Sequence, residues 1–269
     1  MRGKKAARSS AACAAPGRSR QERSGMATAF GNWHADSLRT LEQISTLPEM
    51  LQRAAELAAE LSGADVVGVS LITGHQQIHT TAATADLAAR ADQLQVELAE
   101  GPLLHAIGRQ VVVYLDDLAD EIRWSGWSAR VVAELGLRSM LSYQLFTEGE
   151  VLGALSIYSA KPHAFDLDVV DTGYLFAAHV GVAVSQLKER DSLRSAIASR
   201  TLIGQAEGIL MERYGLDGDA AFNALRRVSQ NRNTKLREIA AELVETRRLE
   251  GLTDTPSRPR ETGGDNLGR

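Results

Sequence analysis

The sequence contains one cysteine, Cys13, in 269 residues. An intramolecular disulfide is therefore impossible, and a reducing cytoplasm is the compartment that fits best. Long apolar runs are missing too, since no stretch reaches the roughly 18 consecutive apolar residues that a membrane-spanning helix needs. We therefore expect a cytoplasmic protein with no membrane partner.

The residue sets that usually carry catalysis are also missing. The sequence shows no nucleophile–base set, no cluster of metal ligands and no phosphate-binding glycine loop. His75 and His79 are four residues apart, which is about 13 Å along one strand and too far to share an ion. We expect no enzyme activity, no metal and no resident cofactor.

Charge is distributed unevenly along the chain. Residues 26–187 carry a net charge of −12, whereas residues 188–250 carry +2. A chain of this length suits two domains. Because an acidic surface repels phosphate, any contact with nucleic acid is expected in the second of them.

Both ends of the chain have compositions typical of disorder. Residues 1–25 hold seven Lys and Arg against one acid and have no apolar periodicity. We expect a disordered basic extension, or a segment upstream of a true start at Met26; the alternative is a basic arm that touches nucleic acid. Residues 251–269 are expected to be a disordered tail.

Four β-type runs predict two hairpins in the first domain, residues 38–187. The runs pair across short breaks that contain glycine, and short turns demand antiparallel pairing because parallel strands need long crossovers. The paired runs are 64–73 with 76–85, and 138–147 with 150–160.

Helical spacing of apolar residues fills most of the remaining domain. The predicted helices run from Leu38 until Pro48 interrupts the pattern, then over 49–61, 85–95, 101–108 and 126–136, and from about 165 onward, with one more strand at 111–115. The fold class predicted is α+β, an antiparallel sheet with flanking helices.

Three segments of the first domain resemble a GAF domain, a module that senses small molecules or redox state. They are GADVVGVSLIT, GPLLHAIGRQVVVYLDDL and GEVLGALSIYS. The resemblance implies a binding cleft for a small molecule that the sequence does not identify. Many relatives have a cysteine after the Gly-Pro pair that Gly101-Pro102 matches; Leu103 stands there, which removes a thiol-based role.

Four aromatic residues could line that cleft or fill the core. Aromatic side chains are more often core than pocket, and we expect core. These residues are Trp124, Trp127, Tyr143 and Tyr158.

The second domain is predicted to hold three short helices after a helical linker at 188–198. The first, 199–215, contains Gly208, which suggests close packing by another helix at that point. In the second helix an inward-facing set is expected at Ala221, Phe222, Leu225 and Val228, after a cap at Asp217 or Asp219. The third is expected to begin at Asn233 or Thr234 and to complete a bundle over 199–250.

This bundle closely resembles an ANTAR domain, an RNA-binding antitermination module. The matching segments are SRTLIGQAEGILMERYG and AAFNALRRVSQNRNTKLREIA, which together run from Ser199 to Ala240. The resemblance implies binding to RNA stem-loops in nascent transcripts, in competition with a terminator, and so an indirect action on the transcription machinery. Glu207 departs from the lysine of many members, and we expect it to weaken or alter phosphate contact.

The candidate RNA contacts cluster around the junction of the second and third helices. Cationic side chains there can meet phosphates, and amides can contact base edges exposed in loops. Taken without the resemblance, the same residues are more simply solvated faces and helix caps. The candidates are Arg226, Arg227, Gln230, Asn231, Arg232, Asn233, Lys235 and Arg237.

The predicted function is therefore a signal-responsive RNA-binding regulator that promotes transcription antitermination, expected to be a homodimer. A hypothesis for coupling is that the continuous helical pattern over 165–200 connects sensor and output. The alternative is a one-component transcription factor with a GAF sensor, which would use its last helix to contact duplex DNA.

Overall fold

The computed structural model describes residues 37, 39–74, 77–109 and 112–249. The chain divides into two compact units, one ending at Leu187 and the other beginning at Lys188. The expectations for residues 1–25 and 251–269 lie outside the described residues.

The first unit is built on a five-stranded sheet with the strand order β2-β1-β5-β4-β3, in which every neighbouring pair is antiparallel. The predicted α+β class and both predicted hairpins are confirmed. The strands are β1 (Val66–Thr73), β2 (Gln77–Ala83), β3 (Val112–Leu115), β4 (Ser139–Phe146) and β5 (Val151–Ser159).

Helices cover both faces of this sheet and continue into the second unit. The region predicted as a helix over 126–136 is an α-helical turn that passes into a π-helical turn at Val131–Leu135. In chain order the α-helices are α1 (Leu47–Ser62), α2 (Asp86–Leu98), α3 (Pro102–Arg109), α4 (Ser125–Arg130), α5 (Leu167–Tyr214), α6 (Gly218–Arg232) and α7 (Leu236–Thr246).

Pro48 does not interrupt a helix as predicted. It lies in the first turn of α1, where its missing N–H has no helical acceptor to lose. The preceding helical residues, 39–43, form a separate short segment. α1 ends at Gly63, whose φ of 64° is left-handed, and the Gly63 N–H donates to the Ala59 carbonyl.

The two faces of the sheet differ in chemistry, because successive side chains along a strand point to opposite faces. One face is apolar and packs against α1 and the first part of α5; its core includes Val67, Val69, Leu141, Leu155 and Phe176. The opposite face lies beneath α2 and α3 and buries Ser70, Ser142, Gln144, Ser156 and Tyr158.

The second unit has its own apolar core, formed by the last part of α5 together with α6 and α7. Asp217 caps α6 by accepting from the Ala220 N–H at 2.8 Å, as predicted, and Gly215 has the left-handed φ of 63° that ends α5. α7 begins two to three residues later than predicted, at Leu236. The fully buried apolar residues of this core include Ala206, Ala221, Leu225, Ile239, Ala240 and Leu243.

Among the described residues, α5 is a helix that is long enough and apolar enough to cross a membrane, judged by length and composition alone. A core helix of a soluble protein passes the same test. In α5 the side chains of Phe176, Val180 and Val184 are fully buried in the core of the first unit.

Candidate functional sites

All eight candidate RNA-contact residues are exposed in the second unit. On α6 the buried stripe is Ala221, Ala224, Leu225 and Val228, so Arg226 and Arg227 fall on the opposite side. Arg226 and Gln230 are four residues apart and therefore neighbours along one row of the helix surface. The candidate surface thus presents cations and amides side by side.

Two of the eight candidates also have structural roles, Arg232 between α6 and α7 and Asn233 at the end of α6. The Arg232 guanidinium makes two contacts of 2.9 Å with the Glu242 carboxylate on α7, which lowers the pKa of Glu242. Asn233 ends α6 in the left-handed conformation with φ 48°, and its N–H donates to the Gln230 carbonyl. An RNA contact by Arg232 would therefore compete with an existing ion pair.

Lys235 and Arg237 stand at the beginning of α7. The Lys235 carbonyl accepts from the N–H groups of Glu238 and Ile239, so this residue starts the helix through its backbone. Its side chain, like that of Arg237, is exposed. Neither side chain is required by the helix start, and both are free to meet a phosphate.

Phe222 was predicted to point inward, and this prediction was wrong. Its side chain is 37% exposed on α6, one helical row from Arg226. The stripe formed by Ala221, Ala224 and Leu225 already fills the side of α6 that faces the bundle. Phe222 is therefore a candidate contact that sequence reasoning missed. The sequence did contain a sign of it, because the apolar stripe of α6 is complete without Phe222.

The expectation that another helix packs closely at Gly208 was also wrong. A Cβ built at Gly208 meets no atom of the described chain within 4 Å, and the residue borders an open groove of about 490 Å³. Across this groove the Arg213 guanidinium donates to the Arg247 carbonyl at 2.6 Å, which ties the end of α5 to the end of α7.

A second cavity, of about 430 Å³, lies in the first unit between the sheet and α2. Asp92, which is fully buried, forms part of its wall. The Tyr158 hydroxyl donates to Asp92 Oδ1 at 2.6 Å, and Ser70 and Thr80 donate to Oδ2 at 2.9 and 3.4 Å. Burial raises the pKa of Asp92 to about 6, although these hydrogen bonds act in the opposite direction.

Gln95 organises the turn between α2 and α3 beside this cavity. Its Oε1 accepts from the Leu103 N–H at 2.7 Å, and its amide nitrogen donates to the Tyr158 hydroxyl at 3.3 Å. The Gln95 side chain occupies the space where Gly101 would carry a Cβ, and Gly101 has φ 140°. Leu103, which stands where many relatives have a cysteine, is fully buried.

Three buried polar atoms on the same face of the sheet have no hydrogen-bond partner within the described residues: Ser142 Oγ, Ser156 Oγ and Gln144 Oε1. The amide nitrogen of Gln144 does donate, to the Ile107 carbonyl on α3 at 2.7 Å. Buried polar atoms are normally paired, so this face carries more polarity than the fold alone requires.

The expectation that the aromatic residues form core is confirmed for three of the four. Trp127, Tyr143 and Tyr158 are fully buried, and the Trp127 indole donates to the Ala91 carbonyl at 3.0 Å. Trp124 is half-buried, with the Arg123 guanidinium over its ring and the His105 ring at its edge. None of the four lines the cavity at Asp92.

Comparison with protein families assigns both units. The GAF domain family matches residues 45–185, which is more than half of the chain. The chain belongs to the GAF family. The ANTAR domain family matches residues 191–244, so the GAF domain is followed by an ANTAR domain and both resemblances are confirmed. GAF and ANTAR domains are regulatory rather than catalytic. No curated protein matches the sequence.

Solved structures, a GAF domain among them, share a fold with this chain. The GAF domain of a phosphoenolpyruvate-protein phosphotransferase from Coxiella burnetii is 16% identical with a TM-score of 0.50, over 61% of this chain and 96% of that one. A bacteriophytochrome from R. palustris is 15% identical with a TM-score of 0.50, over 74% of this chain and 46% of that one. At these identities the likeness concerns the fold alone.

The raised pKa of Asp92 predicts a pH dependence of stability. Between about pH 4 and 6 the Asp92 carboxyl is protonated in the folded protein to a greater extent than in the unfolded chain. The contribution of Asp92 to the free energy of unfolding therefore declines as pH rises through that window. The Asp92→Asn variant lacks the titrating group and should not show this decline. The stability of the variant relative to wild type, from urea unfolding, should therefore improve between about pH 4.5 and pH 7.5. An unchanged difference would contradict the assignment.

Proposed function

We propose that this protein is a signal-responsive regulator whose ANTAR domain binds stem-loop RNA in nascent transcripts and thereby promotes transcription antitermination. The observation that carries the proposal is the ANTAR match over 191–244, on a unit whose α6–α7 junction exposes a set of cations and amides. The protein would act on the transcription machinery indirectly, by stabilising one RNA structure against a terminator. GAF–ANTAR architecture is typical of soluble regulators, and we place this one in the cytoplasm.

The charge distribution supports an RNA contact by the second unit and not the first. The GAF domain carries most of the acidic residues, which repel phosphate, whereas residues 188–250 have a net charge of +2. The exposed amides of Gln230 and Asn231 lie beside Arg226 and Arg227 on α6. Such a mixture suits splayed bases in a loop, whose edges are free to hydrogen-bond.

Removing two cations from this surface tests the proposal. The full-length Arg226→Ala/Lys235→Ala variant should bind a tandem hairpin RNA with six-nucleotide loops roughly tenfold more weakly, and its salt slope should fall by about 0.7 for each phosphate that the variant no longer neutralises. The matched control is Arg190→Ala/Arg194→Ala, which removes two exposed cations of α5 outside the candidate surface. An equal decrease in affinity in both variants would show nonspecific attraction only.

The same titration separates RNA binding from the DNA-binding alternative. An ANTAR domain acting on RNA should lose affinity when the loop nucleotides are changed, and should bind duplex DNA more weakly at the same salt concentration. Preference for duplex DNA would favour a transcription factor.

Phe222 offers a stacking surface next to the cations, and stacking on an aromatic ring contributes about 1–3 kcal/mol per base. We expect Phe222→Leu to weaken binding of the same RNA by an amount in this range, and Phe222→Tyr to retain affinity because it keeps the ring. If leucine binds RNA as well as phenylalanine does, Phe222 has no stacking role.

We further propose that the protein is a homodimer joined along α5. Among the apolar side chains that this helix exposes, four that are about half exposed or more have spacings of 7, 11 and 4 residues, which place them along one side. They are Leu175, Val182, Leu193 and Ile197.

Sedimentation equilibrium tests the dimer. Leu193→Glu/Ile197→Glu should halve the mass measured at micromolar concentration, because charge would enter the apolar contact. Ile122→Glu, which alters an 87% exposed isoleucine outside α5, should leave the mass unchanged. A monomeric wild-type protein would refute the proposal.

A further inference from the structure

The cavity of the GAF domain has the buried carboxylate of Asp92 in its wall and no Lys or Arg among the described residues that line it. The Asp92 carboxylate accepts hydrogen bonds from hydroxyl groups, those of Tyr158, Ser70 and Thr80. Hydroxyls stabilise a carboxylate but do not cancel its charge. A buried carboxylate without a cation is costly, so a structure that keeps one leaves a favourable place for a positive group.

The backbone makes room for this carboxylate. Gly68 lies on β1 beneath α2, and a Cβ at this position would lie 2.9 Å from Asp92 Oδ2. Gly68 pairs with Ser156 on β5, whose hydroxyl is one of the unpartnered buried atoms. The absence of a side chain at Gly68 and the surplus of hydroxyls nearby both favour a polar site over a packed apolar core.

The remaining wall combines apolar surface with further negative charge. Ile78, Ala89, Val96 and Leu103 supply apolar area, and Glu97 lies at the rim, where Arg90 pairs with it at 2.7 Å. His79 and Gln93 complete the lining, which contains no Lys or Arg among the described residues. The volume of about 430 Å³ falls within the range of small-molecule pockets, about 300–1,000 Å³.

From this arrangement we infer that the GAF cavity binds a small organic cation, an ammonium or guanidinium attracted by the negative charge of the Asp92 carboxylate in the cavity wall, with a short apolar body along Val96 and Leu103. The inference deepens the proposed function, because it assigns a chemical class to the signal that the GAF domain senses. An anionic ligand would meet the Asp92 carboxylate without a balancing charge, since Arg90 is paired with Glu97. A neutral ligand of the same shape would leave the buried carboxylate uncompensated.

The experiment compares probes that match in size and differ in charge. Full-length protein in an amine-free phosphate buffer at about pH 7.5, where Asp92 is mostly ionised, is titrated with n-butylguanidinium, neutral n-butylurea and anionic butyrate, and thermal unfolding is followed. At about ten times its dissociation constant, n-butylguanidinium should raise the unfolding temperature by about 3 °C. The other two probes should leave it unchanged.

Two variants locate the effect in the cavity. Asp92→Asn keeps the shape and removes the charge, and Gln93→Lys places a competing cation at an exposed position of the lining. Both should abolish the shift. Asp120→Asn, which removes an exposed carboxylate outside the lining, should preserve it.

A shift of the same size with n-butylurea, a shift that survives in Asp92→Asn and Gln93→Lys, or no shift with n-butylguanidinium would each overturn the inference. RNA affinity of the same variants, measured without probe, should equal that of wild type. Failure of RNA binding in wild-type protein would instead overturn the proposed function, so the two failures are distinguishable.

Discussion

A sheet covered by helices on both faces has to satisfy or remove every polar group that it buries, and the GAF domain meets this requirement differently on its two faces. Beneath α1 and α5 the strands present mainly apolar side chains, and the Tyr143 hydroxyl on this face donates to the Val170 carbonyl of α5 at 3.2 Å. Beneath α2 and α3 they present hydroxyls and amides beside apolar residues that include Val66 and Met140, and the Asp92 carboxylate accepts hydrogen bonds from three of the hydroxyls. The cavity lies on the face beneath α2, beside the Asp92 network, where the side chains are not as closely packed as in the apolar core.

The second unit is organised around a single apolar core. Its core combines small side chains, among them Ala206 and Ala221, with larger ones such as Leu225 and Ile239. These residues form one stripe on each helix and leave the rest of α6 and α7 to solvent. The cations and amides of the junction are therefore displayed on folded helices, and side chains on an ordered backbone lose less conformational entropy on binding than those of a disordered segment.

Much of the fold could be predicted because its signals are local. Glycine-containing breaks between β-type runs predicted both hairpins, and the Asp217 cap and the Gly215 terminus followed from the conformations these residues favour. Features that depend on tertiary packing were harder to predict from the sequence. Pro48 fits both the end of one helix and the first turn of the next, and only packing decides between them.

The candidate sites could also be predicted only where they depend on local sequence. The exposed cations near Lys235 could be named from sequence, whereas the ion pair that engages Arg232 depends on where α7 lies in space. Phe222 was placed in the core because phenylalanine usually is, although the alanine stripe had already filled that side of α6. Asp92 was not singled out, because a single acid within a helical pattern gives no sign that it will be buried among hydroxyls contributed by other strands.

The contact between Gln95 and Gly101 means that substitutions at these two positions depend on each other. The glutamine side chain occupies the space that any larger residue at 101 would need, and it also fixes the Leu103 N–H at the start of α3. A larger residue at 101 would need both a smaller residue at 95 and a different backbone conformation, because φ 140° favours glycine, and a smaller residue at 95 would release the N-terminus of α3. The two positions should therefore covary during evolution, and lineages without the pair should show a reshaped α2–α3 turn beside the cavity.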